Sequence, residues 1–270
     1  MHADRYAPAT TLPGLLQRGR GLGALMAAED PAAAAGLVYG CIRREWRWDA
    51  RADDRDLYLA RLVRDLELPL GPVEELLAGD GDTRARAAGV LELLASGGPE
   101  PEAVSVPPGG PDGDGPDGAG PDGAGPDVPA LVAGLEQHWV DRAWCGPAAL
   151  ARGLARFGAE GAGAASLLRR FWLWTPHSYE RADYLEALAA IGSAGTAGAY
   201  AESLWDCEAR ARLLGAAHAP DRPDVRARLA YLGNDPLESP EVRAAAGARL
   251  AELTREAFPE DGEAVRRGLE

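Results

Sequence analysis

The sequence predicts an all-α protein in which short helices stack into a helical solenoid, interrupted by one linker rich in Pro, Asp and Gly. The first observation is a Val-Arg-Ala pattern at residues 225–227 that returns seventeen residues later at 242–244. A short helix repeated at this spacing must stack on its neighbours to bury its apolar stripe. The second observation is helical periodicity of the apolar residues in both halves of the chain, without the alternating β-branched runs that indicate strands.

The first helical block is predicted over residues 10–97. Its clearest apolar stripe occupies the i, i+3, i+4 and i+7 positions of one helix face and consists of Leu59, Leu62, Val63 and Leu66. Asp30 followed by Pro31 fits a helix start, because a capping carboxylate accepts backbone amide bonds and Pro suits the first helical position. A second start is expected at residues 82–83.

Residues 98–129 are predicted to be a disordered acidic linker. From residue 111 the chain repeats a five-residue unit of Pro, Asp and Gly, and the segment contains seven acidic residues and no arginine. Such a segment has little to bury and repels itself, so it should stay extended. An EF-hand loop starting at Asp112 is the other interpretation, but its twelfth position is Gly123, where calcium requires a glutamate.

The second helical block is predicted over residues 130–257, followed by a tail at 258–270. Short apolar stripes follow one another at close intervals along this block. Ser239 and Pro240 provide a capping hydroxyl and a first-turn proline for the last helix. Helix ends are expected at three glycines, Gly158, Gly192 and Gly215.

Two segments of this block, residues 184–192 and 239–250, resemble the second helices of HEAT repeats, whose pattern is Val-Arg-x-x-Ala followed by an apolar stripe. The resemblance covers roughly residues 178–256. It implies a curved α-α superhelix with a groove that binds a partner, usually another protein.

The composition limits the kind of partner. All 28 basic residues are arginines, the net charge is −14, and half of that charge lies in the linker. The two helical blocks are therefore mildly acidic, whereas a nucleic-acid ligand requires clustered positive charge. The sequence also lacks a charge-free apolar run of the ~18 residues that a membrane span needs. We expect a protein that binds neither membranes nor nucleic acid.

The cysteines and the N-terminus predict the compartment. Three widely separated cysteines, without a pairing pattern, are expected to be reduced and to face the core: Cys41, Cys145 and Cys207. The first residues lack the uninterrupted apolar core of a signal peptide. These features predict a cytoplasmic protein.

The sequence contains no catalytic or cofactor-binding pattern that withstands inspection. Residues 53–56 resemble the acidic motif of terpene synthases, but the third acid stands at the wrong offset for magnesium. The glycines at 192–198 neither follow a strand nor precede Lys and Ser or Thr, as a phosphate loop requires. The internal histidines are isolated in sequence: His138, His177 and His218. We therefore expect no metal, no cofactor and no enzymatic activity.

One cluster alternates arginine with tryptophan, the side chains most enriched in binding hot spots. Because its alternating polar residues cannot be wholly buried, we predict that it binds the partner. Its members are Arg43, Arg44, Trp46, Arg47 and Trp48. A second aromatic cluster, residues 171–174, is expected to fill space between helices.

These observations predict a non-catalytic scaffold or adaptor that binds a protein partner through a helical-repeat surface. The alternative is a HEAT-like glycosylase that excises alkylated purines from DNA. Such enzymes resemble this chain in architecture and line a basic groove with Trp and Asp. This chain has tryptophans, but it has neither Trp-x-x-x-Asp on one helix nor a surplus of basic residues.

Overall fold

The computed structural model describes residues 6–49, 51–96 and 126–257, and every regular element in these ranges is a helix. The all-α prediction is therefore confirmed for the described residues. Most of the predicted linker and the whole predicted tail lie outside them.

We call residues 6–96 the N-terminal block and residues 126–257 the C-terminal block. Within its described residues, the N-terminal block contains α1 (Leu12–Gln17), α2 (Gly21–Glu29), α3 (Pro31–Arg43), α4 (Arg55–Asp65), α5 (Gly71–Glu75) and α6 (Gly81–Ser96). The C-terminal block contains α7 (Val128–Asp141), α8 (Pro147–Ala155), α9 (Ala165–Trp174), α10 (Arg181–Ala190), α11 (Thr196–Ser203), α12 (Ala209–His218), α13 (Pro223–Asn234) and α14 (Pro240–Ala257).

Side-chain caps fix several of the helix starts. The Asp30 carboxylate accepts from the amide of Ala33 at 3.0 Å, so α3 begins where the sequence predicts. The Ser239 hydroxyl caps α14 in the same way. The start of α6 differs, because Asp80 rather than Asp82 caps the helix, accepting from the Thr83 amide at 2.8 Å.

Two of the three predicted glycine helix ends are confirmed. Gly158 and Gly192 have φ angles of +53° and +69°, which a side chain disfavours. Gly215 instead lies inside α12, so the predicted end there is wrong. A Cβ atom on Gly215 would lie 2.8 Å from the carbonyl oxygen of Tyr200, so this glycine allows α11 and α12 to pack closely.

The helices of the C-terminal block pack in consecutive pairs. Within the described residues, α7 packs on α8, α9 on α10, α11 on α12, and α13 on α14. The second helices also contact one another in succession, α8 with α10, α10 with α12, and α12 with α14. Two apolar clusters lie between these helices, one around Phe171 and Leu188 and the other around Leu229 and Val242.

The N-terminal block has its own apolar core between α3, α4 and α6. Three members of the predicted stripe, Leu59, Leu62 and Val63, are buried in it. Cys41 and Cys207 are buried as expected. Cys145 is exposed, because it lies in the loop between α7 and α8 rather than on a core-facing helix.

The two blocks pack against each other through α2 and α4. The amide of Cys207 donates to the carbonyl of Gly19 at 2.9 Å, and Gly19 has a φ of +63°. Gly21 lies so close to α11 that a Cβ atom on it would be 2.0 Å from the carbonyl oxygen of Glu202. Beside it, the Arg20 guanidinium donates to the Glu202 carboxylate at 2.6 Å.

Candidate functional site

A groove of about 670 Å³ lies in the N-terminal block, between α1, the end of α3 and the start of α6. It brings together residues that are far apart in the sequence, because α6 returns to the end of α3. Its charged lining residues are Arg43, Arg44, Glu45, Asp80, Asp82 and Arg86.

Arg86 on α6 positions this end of α3. Its buried guanidinium donates to the carbonyl of Ile42 at 2.9 Å and to the carbonyl of Arg43 at 2.6 Å. The Thr83 hydroxyl also donates to the Arg43 carbonyl. Carbonyls at a helix C-terminus lack intrahelical partners and favour cations. The backbone at the groove is therefore fixed from α6, while the side chains of Arg43 and Arg44 stay exposed.

The two exposed guanidinium groups keep their hydrogen-bonding capacity. Among the described residues, neither Arg43 nor Arg44 has a carboxylate within ion-pair distance. The Arg44 guanidinium lies 5.2 Å from the ring centre of Trp46. The neighbouring carboxylate of Glu45 already pairs with Arg47 and Arg86. Although partial burial opposes its ionisation, Arg47 and Arg86 hold the pKa of Glu45 below its usual range.

The other three predicted binding residues, Trp46, Arg47 and Trp48, make most of their contacts away from the groove. Trp46 is only 9% exposed, packs against the tilted ring of Tyr6 and belongs to the N-terminal core, with one edge on the groove. Arg47 forms ion pairs with Glu45 at 2.9 Å and Asp56 at 3.1 Å. Trp48 packs on the ring of His177. The structure thus places Arg43, Arg44 and the edge of Trp46 at one groove.

A network of buried ion pairs was not predicted from the sequence. Asp206, in the loop before α12, binds Arg181 at 2.7 Å, and Glu238, before α14, binds Arg212 at 2.7 Å. Arg61 on α4 reaches the same loop and lies 3.0 Å from Glu238. The only feature of the sequence that could have indicated these ion pairs is that both acids lie in short loops between helices. Acids that are simply exposed to solvent are found in the same kind of loop.

A buried histidine and carboxyl group lie at the seam between the blocks. Burial, and then the nearby charge of Arg55, lower the pKa of His177 to about 4. Burial raises the pKa of Glu180 to about 8, even though Tyr184 donates to its carboxylate at 3.0 Å. Both groups are therefore neutral near pH 7. His177 and Glu180 are 1% and 6% exposed, so a substrate has no access to them.

The described residues also bear on metal binding and on membrane insertion. They contain no group of three or more His, Cys, Asp or Glu residues arranged to hold a metal ion. No helix within 6–49, 51–96 or 126–257 combines the length and apolar character needed to cross a bilayer.

Comparison with known proteins identified no relative of this chain. No protein-family model, no curated protein and no solved structure matches the chain.

Proposed function

We propose that this protein is a non-catalytic adaptor with a HEAT-like α-solenoid in its C-terminal block. We further propose that it binds an acidic, extended segment of a partner protein in the groove beside Arg43 and Arg44.

The packing of the C-terminal block supports the solenoid. Its four consecutive helix pairs contact through their second helices, as stacked repeats do. A buried ion pair also recurs between neighbouring pairs. Arg181 of α10 binds Asp206 in the loop of the next pair, and Arg212 of α12 binds Glu238 in the loop after that.

The observation that carries the binding proposal is the pair of exposed arginines at the groove without a described carboxylate partner. A guanidinium group binds carboxylates through two parallel hydrogen bonds. Two of the three acids in the groove lining compete little, because Glu45 is held by Arg47 and Asp80 caps α6, while the third, Asp82, is exposed to solvent. The net charge of −14 does not prevent acidic binding, since salt screens distant charges beyond ~8 Å at physiological ionic strength.

The experiment compares three purified proteins as baits: the wild type, Arg43→Glu/Arg44→Glu, and Arg169→Glu/Arg170→Glu. The last is a matched control, because Arg169 and Arg170 are also adjacent and exposed. We expect a partner that is recovered by the wild type and the control but not by the groove variant. Circular dichroism should show equal helical content in all three.

The recovered partner then allows a sharper measurement. With purified proteins, the groove variant should bind about tenfold more weakly or worse, and changing the partner's acidic residues to Lys should restore binding to it. If every captured protein binds the groove variant as well as the wild type, the groove is not the binding site.

A further inference from the structure

A second cavity, of about 260 Å³, lies where the two blocks meet. The N-terminal segment, the end of α1, the loop after α7 and the end of α9 enclose it. Besides two prolines, its lining consists of Tyr6, Arg18, Arg142, Trp144 and Trp174. It is separate from the groove beside Arg43 and Arg44.

Arg18 is the unusual residue of this cavity. Eight arginines are buried among the described residues, and Arg18 alone has no described carboxylate within 4.0 Å. The other seven, each with such a partner, are Arg20, Arg55, Arg61, Arg86, Arg181, Arg212 and Arg228. Because burying an unpaired charge is costly, this arginine, only 4% exposed as a residue, points to a missing anion.

The hydrogen bonds of Arg18 leave one side of its guanidinium free. Nε donates to the carbonyl of Trp174 at 3.1 Å, and Nη1 donates to the carbonyls of Ala7 at 2.8 Å and Gly14 at 2.9 Å. Nη2 bonds to none of the described residues and is not sealed from solvent. Three neutral carbonyls fix the orientation of the group without neutralising its charge.

Arg142 supplies a second cation at the same cavity. It is exposed, its guanidinium lies 4.8 Å from the ring centre of Trp139, and no described carboxylate lies within 4.0 Å. Its φ of +53° belongs to the left-handed turn that ends α7, and this turn sets the position from which its side chain leaves the helix.

The aromatic residues that line the cavity indicate the shape and size of the ligand. The Arg18 guanidinium lies over the rings of Tyr6 and Trp174, at 4.8 and 5.9 Å from the ring centres. The Nε1 of Trp144 finds no acceptor among the described residues. Flat aromatic walls favour a flat apolar body, and the volume falls below the ~300 Å³ at which ordinary ligand pockets begin. The ligand is therefore small.

We propose that this cavity binds a small organic carboxylate with a flat apolar body, in which Arg18 pairs with the carboxylate and Arg142 closes the open side. The site does not depend on the proposed adaptor function.

The test uses benzoate as the probe and its neutral isostere benzamide as the control ligand, with titration calorimetry on the full chain. We expect saturable one-to-one binding of benzoate with a millimolar or lower dissociation constant, and no binding of benzamide. Arg142→Met should weaken benzoate binding about tenfold through loss of a charge-assisted bond. Arg156→Met, at an exposed arginine outside the cavity, should bind as the wild type does.

Arg18→Met tests the main contact, and its unfolding curve shows whether it still folds. If it does not fold, Arg142→Met decides. Absence of saturable benzoate binding, or equal binding of benzamide, would overturn the proposal. Asp4 precedes the described residues by two positions, and Asp4→Asn gives a further outcome that overturns the proposal: if this variant binds benzoate and the wild type does not, the chain's own carboxylate takes the place assigned to the ligand.

Discussion

Arg61 and Glu238, separated by 177 positions, meet at 3.0 Å in the interior, and the same carboxylate also accepts from Arg212 at 2.7 Å. Glu238 is 1% exposed. Burial opposes its ionisation, but the two guanidinium groups hold its pKa below the usual range. One carboxylate therefore joins the N-terminal block to two helix pairs of the C-terminal block.

Glu238→Gln should destabilise the protein strongly. It removes the nearest counter-charge of buried Arg212, and breaking a buried ion pair from one side typically costs ~3–5 kcal/mol. Urea unfolding measures the difference. Glu252→Gln is the control, since Glu252 pairs with Arg249 on the surface and should cost less than ~1 kcal/mol. Similar costs for both variants would contradict the role of Glu238.

Gly21→Ala should loosen the contact between the blocks. The added Cβ would lie 2.0 Å from the Glu202 carbonyl oxygen, so α2 must move away from α11. We expect a lower melting temperature. In contrast, Gly247→Ala in α14 meets nothing within 4 Å and should stabilise its helix by up to ~1 kcal/mol. An unchanged or higher melting temperature of Gly21→Ala would disprove the close approach.

Trp46→Ala should cost ~3–5 kcal/mol of folding free energy, the range typical of large aromatic truncations in a core. Thermal and urea unfolding test this directly. If this variant lost partner binding, the cause would be unfolding and not the loss of a contact. For this reason the groove is tested with Arg43→Glu/Arg44→Glu. Val140→Ala, at a 73% exposed position, should leave stability unchanged. A stable Trp46→Ala protein would show that this ring is not part of the core.

Glu180→Gln should gain stability relative to the wild type as pH rises. Burial raises the pKa of Glu180 from 4.5 to about 8, so between these values the unfolded chain has lost a proton that the folded protein keeps. The free energy of unfolding of the wild type therefore falls through this window, whereas the variant lacks this slope. We expect a relative gain of more than ~1 kcal/mol between pH 5 and pH 8.

The control for this comparison is Glu186→Gln on the same helix, which makes the same chemical change at a partly exposed side chain that pairs with Arg210. His177, whose pKa burial lowers to about 4, has the opposite pH dependence but is present in every protein compared. Parallel curves for Glu180→Gln and the wild type would mean that Glu180 is ionised in the fold.

Local physical rules account for what could be predicted from the sequence. The start of α3 follows from Asp30, because a cap depends on neighbours three residues away. The stripe at Leu59, Leu62 and Val63 follows from helical periodicity, which needs only one buried face. Gly215 was misplaced because its function, a close approach to Tyr200, depends on another helix.

The buried arginines could not be predicted for two reasons. Their partners are distant in sequence, as with Arg61 and Glu238. Moreover, arginine occupies every basic position of this chain, so a buried arginine does not stand out from an exposed one. The binding cluster shows the same limit: alternation of Arg and Trp at 43–48 did not reveal that Trp46 points into the core while Arg43 and Arg44 stay outside.

The carboxylate of Glu238, which Arg61 and Arg212 share, also determines when these contacts can form during translation. Arg61 leaves the ribosome 177 residues before Glu238, an interval of roughly 10–35 s at ordinary elongation rates. Until then Arg61 lacks both of its ion-pair partners, Asp235 and Glu238, and its guanidinium must stay hydrated. A translation product that stops before residue 235 never receives either acidic partner of Arg61. The ion pairs of Arg61 therefore form only after the loop before α14 has been synthesised.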